Sequence, residues 1–234
     1  LYKGLENKYE GRVRVLKAPC MGKCDYAPAL EVEHNHVDNA TIEKVDNVIS
    51  KKLFKPVISN YIDLDSYVND GGYALYKKIK SEEISYKEFS KVIGDSNLRG
   101  LGGAGFPASK KWEFVNANKG PRMMCINGDE GEVGTFKDKY YLDTDPHRFL
   151  EGTLIAAYMV EAEKCYIYMR DEYPGIIKIL RKEVNELIKR GIINKDFIEV
   201  RRGSGAYICG EESALIESVE GKRGLPRHRP PYVA

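Results

Sequence analysis

Three short apolar runs constrain this chain more than any other feature: Met123–Ile126, Cys165–Met169 and Phe197–Val200. Each has the length of a buried strand and is too short for a helix. After each comes a polar, glycine-bearing loop and then a stretch with helical spacing. Asp145-Pro146 makes a good helix start for His147–Glu161, which carries a broad apolar face. Gly175–Ile192 is amphipathic, and a further helix runs from about Glu211 to Glu220. Strands separated by helices are joined by crossovers rather than hairpins, so neighbouring strands run parallel and need helices to cover their faces. The region reads as a largely parallel, three-layer α/β sheet.

Two helices precede it. Gly72–Ile79 is the first; the second opens at the capping box Ser85-Tyr86-Lys87-Glu88 and ends near Gly94. A glycine-rich loop, Gly100–Gly105, leads into a helix begun by Pro107, a residue suited to a first helical turn. Further upstream, Val13–Leu16 and Ala29–Val32 read as short strands flanking a loop at Cys20. Thr41–Leu53 has helical spacing at Ile42, Val45, Val48, Ile49 and Leu53. The stretch from Phe54 to about Asp70, with Pro56, Asn60 and Asp63, reads as a linker. The expected division is therefore a partial α/β domain over residues 1–55, a linker over 56–70 and a larger domain over 71–234.

Composition excludes several classes. Lys plus Arg number 37 against 35 Asp plus Glu, a net charge of +2 that argues against wholesale binding of nucleic acid or anionic membrane. The longest apolar stretch, near Leu154–Val160, falls far short of the ~20 residues that span a bilayer. Five cysteines, unevenly spaced, do not make a secreted disulfide framework, and a reducing, cytoplasmic setting fits better. The chain begins at Leu1 and stops at Ala234 without a closing element, so it reads as a piece of a longer polypeptide.

Four segments could carry chemistry. Gly100-Leu101-Gly102-Gly103-Ala104-Gly105 fits G-x-G-x-x-G, which lets backbone amides and a helix N-terminus approach a phosphate. It follows a helix rather than a strand, so by itself it could equally be a tight packing turn. Lys110 and Lys111 lie one turn on, beside Trp112 and Phe114, where a lysine could neutralise phosphate and an aromatic could stack on a planar ring. Asn127-Gly128-Asp129-Glu130-Gly131-Glu132 crowds three carboxylates just beyond a strand, where open parallel sheets bind ligands. Gly203–Glu212 repeats the theme of glycines, an aromatic and acids before a helix. Two such loops at strand-to-helix turns of one sheet point to a nucleotide crevice. Separately, Cys20 and Cys24 form a C-x3-C pair that suits half of an iron–sulfur or zinc site. His34 and His36 read as one face of an exposed edge. His147 and His228 have no evident catalytic partner, which argues against hydrolytic chemistry.

Leu98–Phe106, Asn127–Asp138, Asp145–Gly152 and Gly203–Gly221, in that order, resemble the NADH-oxidising flavoprotein subunit of respiratory complex I, a module also found in NAD-linked hydrogenases and formate dehydrogenases. The likeness runs from about Gly71 to Ala234, and the ending Gly221–Pro231 looks closest to the formate dehydrogenase branch, with complex I and hydrogenase as the alternatives. It implies a Rossmann-like domain binding FMN and NAD(H) in one cavity. Gly100, Gly102, Gly103 and Lys111 would meet the FMN phosphate end. Asn127, Asp129 and Glu130 would meet its ribityl chain or ring edge, and Tyr207, Gly210, Glu211 and Glu212 would close the opposite side. Phe106 and Phe114 would stack on the adenine of NADH, Glu132 would accept from that cofactor, and Arg229 and Tyr232 would line its entrance. Leu101, Val133 and Arg229 depart from common family choices of Arg, Pro and Lys.

The first part resembles the second half of a thioredoxin-like [2Fe-2S] domain, with Cys20 and Cys24 as its second cysteine pair. A [4Fe-4S] cluster is expected only beyond Ala234. The implied activity is hydride transfer between NAD(H) and FMN, with the bond chemistry carried by the cofactors rather than a side chain. Electrons would pass between FMN and iron–sulfur clusters of a multi-subunit complex. Two rivals have their own signatures: a flavin-free dehydrogenase needs a strand directly before Gly100, and an electron-transfer scaffold needs a cluster without nucleotide binding.

Overall fold

The computed structural model describes residues 1–229. Its first part is built on local signals. Helix α1 (Tyr2–Lys8) leads into an extended stretch that reaches the two-cysteine loop. A hairpin follows, with β1 (Leu30–Val32) antiparallel to β2 (Asn35–Val37) and Glu33 at positive φ in the turn. The Thr41 side chain then accepts from the Lys44 amide and starts α2 (Ile42–Ser50). Leu5, Tyr9, Val37, Ala40, Val45 and Val48 make a small core of their own. Val13–Leu16, expected as a strand, pairs with no other strand among the described residues. The hairpin satisfies its ladder internally, and Val15 only packs beside this core.

The stretch expected as a linker also holds structure. Asp63 accepts from the Ser66 amide and caps α3 (Leu64–Asn69), whose Leu64 is almost wholly buried. Helices α4 (Ala74–Lys80), α5 (Tyr86–Asp95) and α6 (Ala108–Asn116) follow, the second with both halves of the Ser85–Glu88 capping box in place.

The remaining elements form the parallel α/β unit. Strand β3 (Met123–Gly128) is followed by α7 (Lys137–Thr144) and α8 (Pro146–Met159), then β4 (Lys164–Met169) by α9 (Pro174–Lys189). Strand β5 (Ile198–Arg202) is followed by α10 (Glu212–Val219). The sheet order is β3-β4-β5, all parallel, with Met123 opposite Lys164 and Cys165 opposite Ile198. Successive strand residues point to opposite faces. Met124, Ile126, Cys165, Ile167, Met169 and Ile198 enter the main core with Leu150, Leu154 and Leu180. Cys125 and Tyr168 instead meet Leu215 and Ile216 of α10. The sheet is therefore covered on both faces, as a three-layer α/β fold requires.

A buried polar chain ties the former linker to this core. His147 is fully buried and its two ring nitrogens lie 2.9 Å from Tyr73 Oη and 2.9 Å from Glu183 Oε2, while Tyr61 donates to Glu183 Oε1 at 2.6 Å. Glu151 accepts from Tyr67 Oη and from the Tyr73 and Tyr76 amides. His147 thus has partners, but none is open to solvent, and burial pushes its pKa down toward the neutral ring. Its role is structural. Among the described residues no helix is long and apolar enough to cross a membrane.

Candidate functional site

Parallel strands deliver their following loops to one edge of a sheet, and that edge is where the acidic and glycine-rich segments meet. Asn127, near the end of β3, donates from Nδ2 to the Gly210 carbonyl at 2.8 Å, and its Oδ1 accepts from the Asp129 amide at 3.0 Å. Tyr207 opens a short 3-10 turn, Tyr207–Gly210, and its hydroxyl donates to Glu132. The loops after β3 and β5 are thereby joined at two points, Asn127–Gly210 and Glu132–Tyr207. Asn127, Glu132 and Tyr207 remain exposed toward solvent. A cavity of about 290 Å3 opens at the ends of β3 and β4, between Asn127, Asp138, Tyr141 and Arg148; of the residues that tie the two loops, Asn127 alone lines it.

Glu130 faces the other way. Its side chain is 2% exposed, and its two oxygens accept from the Asp138 amide (2.9 Å) and the Lys139 amide (3.1 Å), the free N–H groups at the start of α7. Tyr173 also donates to it at 3.3 Å, and Lys137 lies 3.5 Å away. Expected from the sequence to reach a ligand, Glu130 is instead turned inward as the cap of α7. Asp129 is only part-buried, yet burial, with a smaller push from Glu172, raises its carboxyl to about 6 against the pull of Arg170.

On the far side of the crevice, Glu211 caps α10 by accepting from the Ser213 amide, the Ser213 hydroxyl and the Ala214 amide. Burial alone would raise its pKa, but these donors and Arg229 hold it below the ordinary value. Arg229 lies 2.9 Å from Glu211 and also pairs with Glu212, so three predicted site residues form one cluster. Tyr232 lies outside the described residues.

The glycine loop is a separate open surface. A helix and a turn precede it, not a strand, and it is closed at its base by the Gly100 amide bonding the Phe106 carbonyl at 2.9 Å. Gly103 sits at φ +102°, a conformation that L side chains rarely adopt, and a Cβ on Gly102, Gly103 or Gly105 would meet nothing within 4 Å. Phe106 and Phe114, both about half exposed, lie with ring centroids 6.1 Å apart. Lys111 makes no ion pair among the described residues, whereas Lys110 bonds Glu113. No hydrogen bond or ion pair among the described residues joins this group to the Asn127–Glu132 loop.

Cys20 and Cys24 are free, on a loop where the Gly22 amide donates to Cys20 Sγ at 3.4 Å. A cleft of about 1090 Å3 runs along this loop, Val13–Pro19 and Leu30–Glu33. Two thiols do not fill a four-ligand cluster, and among the described residues no group of three or more His, Cys, Asp or Glu could hold a metal. His34 is exposed and His36 half-buried, each 3.8–3.9 Å from Glu31 rather than from a thiol. Burial pushes the Cys125 thiol to about 11 and Cys165 to about 12, which marks both as inert core residues.

Sequence reasoning missed one residue that the geometry brings forward. Arg170, the first residue after β4, is 3% exposed and bonds Glu172, the Glu130 carbonyl and the Cys20 carbonyl. A lone arginine after a strand carries no motif; only the position of the partners, 40 and 150 residues away, reveals it.

Comparison with known proteins agrees with this architecture. The Nuo51 FMN-binding domain family matches residues 93–234, and the thioredoxin-like [2Fe-2S] ferredoxin family matches residues 3–53. An NADH-quinone oxidoreductase subunit of Aquifex aeolicus is 46% identical over 194 residues, covering 80% of this chain and 44% of that protein. The mitochondrial NADH-ubiquinone oxidoreductase 51 kDa subunit of Neurospora crassa is 44% identical over 171 residues, covering 66% and 35%. Among solved structures, a chain of an NAD+-reducing NiFe-hydrogenase in the air-oxidized state aligns with a TM-score of 0.82 at 30% identity, covering 98% of this chain and 44% of that one. The chain thus spans less than half the length of these relatives.

Proposed function

This chain belongs to the Nuo51 FMN-binding domain family, and on that premise we propose that it is the NAD(H)- and FMN-binding part of a multi-subunit oxidoreductase. The observation that carries the reading is the double tie across the sheet edge, Asn127–Gly210 and Glu132–Tyr207. It builds one polar crevice from two loops, with a bare glycine loop elsewhere on the same domain.

The residues present suit FMN in kind. Gly102 and Gly103 leave the backbone open to an approaching phosphate, Gly100 closes the base of the same loop through its amide bond to the Phe106 carbonyl, and the Lys111 ammonium, without an ion pair among the described residues, suits the phosphate end. Asn127 and Asp129 offer an amide and a carboxyl to the ribityl chain or ring edge, with Tyr207 and Gly210 opposite. Glu130 acts through α7, holding the loop in shape. Phe106 and Phe114 form an aromatic pair for the adenine of NADH, and Glu132 an acceptor for its polar groups. Arg229 pairs with both Glu211 and Glu212 and offsets part of their negative charge beside the same crevice. When bound, FMN supplies hydride acceptance from the nicotinamide. The chain's own work is to orient the two cofactors, exclude water and balance charge. Cys20 and Cys24 contribute half of a [2Fe-2S] ligand set.

The parent complex we infer is an NAD-dependent formate dehydrogenase, a reading supported by the Gly221–Pro231 sequence. A complex of the respiratory or hydrogenase type is the alternative. FMN fluorescence quenching on titration with the protein tests the site: wild-type protein should bind FMN, and Gly103→Val should weaken binding at least tenfold. Equal affinity for the two would remove the glycine loop from the site. Co-purification of the intact protein with a formate-oxidising subunit, or with a hydrogenase subunit instead, decides the complex.

A further inference from the structure

The two-cysteine loop and the acidic loop lie 150 and 40 residues from Arg170, yet both end on its guanidinium. One terminal nitrogen donates to the Glu130 carbonyl, the other to the Cys20 carbonyl, and Nε bonds Glu172 Oε2 at 3.1 Å. The group is almost completely buried and lies 5.0 Å over the Tyr173 ring. Tyr173 reinforces the junction. Its hydroxyl donates to Glu130 Oε2, and it fits against Gly22, where a Cβ would collide with that same hydroxyl. Gly22 is also held at φ +62°, so both its shape and its backbone are matched to Tyr173. A buried cation is costly unless its donors are all used, and arginine's planar fork can hold two carbonyls and a carboxylate in fixed directions where lysine cannot.

We propose that Arg170 is a positioning residue that locks the Cys20–Cys24 loop to the Asp129–Glu132 loop, so that ligand binding at the acidic loop is felt at the cysteines. The locking stands on the geometry alone; the ligand arm rests on the flavin reading above. The coupling needs no moving part. Two loops sharing one buried anchor lose their independent openings, and ordering either one orders the other.

Hydrogen exchange of the intact protein tests this, with and without FMN, in wild type and Arg170→Gln. Without FMN, the variant should exchange roughly tenfold faster or more at both residues 18–24 and residues 129–133, while α9 keeps its protection. Loosening of only one loop, or of neither, overturns the proposal. With FMN, wild type should gain protection in both loops and the variant only at 129–133. Protection at 18–24 that survives in the variant also overturns it. If FMN protects neither loop in wild type, the flavin reading fails, and the ligand-free comparison still decides the locking. Should Arg170→Gln lose protection throughout α9, Arg170→Lys, which keeps the charge but not the fork, is judged by the same criteria.

Discussion

Asp129 and Glu130 are adjacent carboxylates with opposite surroundings, and their predicted behaviour differs accordingly. Partial burial of Asp129 raises its pKa to about 6, above the unfolded value. Between about pH 4 and 6 the folded state binds more protons than the unfolded one. Its contribution to stability therefore falls as pH rises through that window and is flat above it. Asp129→Asn should raise the melting temperature at pH 7, with the gain shrinking toward pH 4; a pH-independent difference would contradict the assignment. Glu130 already has its donors, and Glu130→Ala removes the α7 cap at a cost of about 1 kcal/mol or more, together with weaker FMN binding. Glu132, tied only to the exposed Tyr207, should behave differently. Glu132→Ala leaves the melting temperature within about 1 °C, since exposed substitutions typically move stability little, and weakens NADH binding while sparing FMN. The expectation of a ligand at this acidic run rested on three carboxylates that repel unless solvated or bonded. Which of them turns inward was not legible, because the deciding donors come from the first turn of a helix eight residues on and from Tyr173.

At the scale of elements, legibility followed burial periodicity. Helices α8 and α9 and strands β3 to β5 announce themselves by apolar spacing because they line the main core. Helix α7 does not: of its aromatics, Tyr140 and Tyr141 are exposed, and only Leu142 is buried, so no apolar stripe marks it. It is held from outside its own sequence, by Glu130. Helix α3 hid for a similar reason, being six residues long with one deeply buried residue. Strand β2 is too short for alternation to be read. Conversely, Val13–Leu16 has a strand's composition but no partner strand among the described residues. The elements around the main core are stitched by the Tyr73–His147–Glu183–Tyr61 chain. His147→Ala would strip Glu183 of one of its partners inside that core. A loss of about 2 kcal/mol or more in urea unfolding is expected from the lost buried hydrogen bonds and the cavity left behind, with unchanged slope. A loss below about 1 kcal/mol would show that the chain is not supporting the fold.

Across the whole molecule, two small-scale designs meet at one junction. A short α/β segment with its own core presents two cysteines, and a parallel α/β domain presents a polar crevice at the strand ends. The two parts and the paired acidic and glycine-bearing loops were expectations from local patterns in the sequence. The junction itself, Arg170 with Tyr173 and Gly22, depends on long-range placement and became visible only in the folded chain. The central claim is that the crevice holds FMN where NADH can reduce it. Anaerobic absorbance of the FMN-loaded, full-length protein on adding NADH is the direct test. Prompt bleaching of the flavin by NADH, slower or absent with NADPH, is the predicted result. Bound flavin that stays oxidised in the presence of NADH and the partner subunits would contradict it.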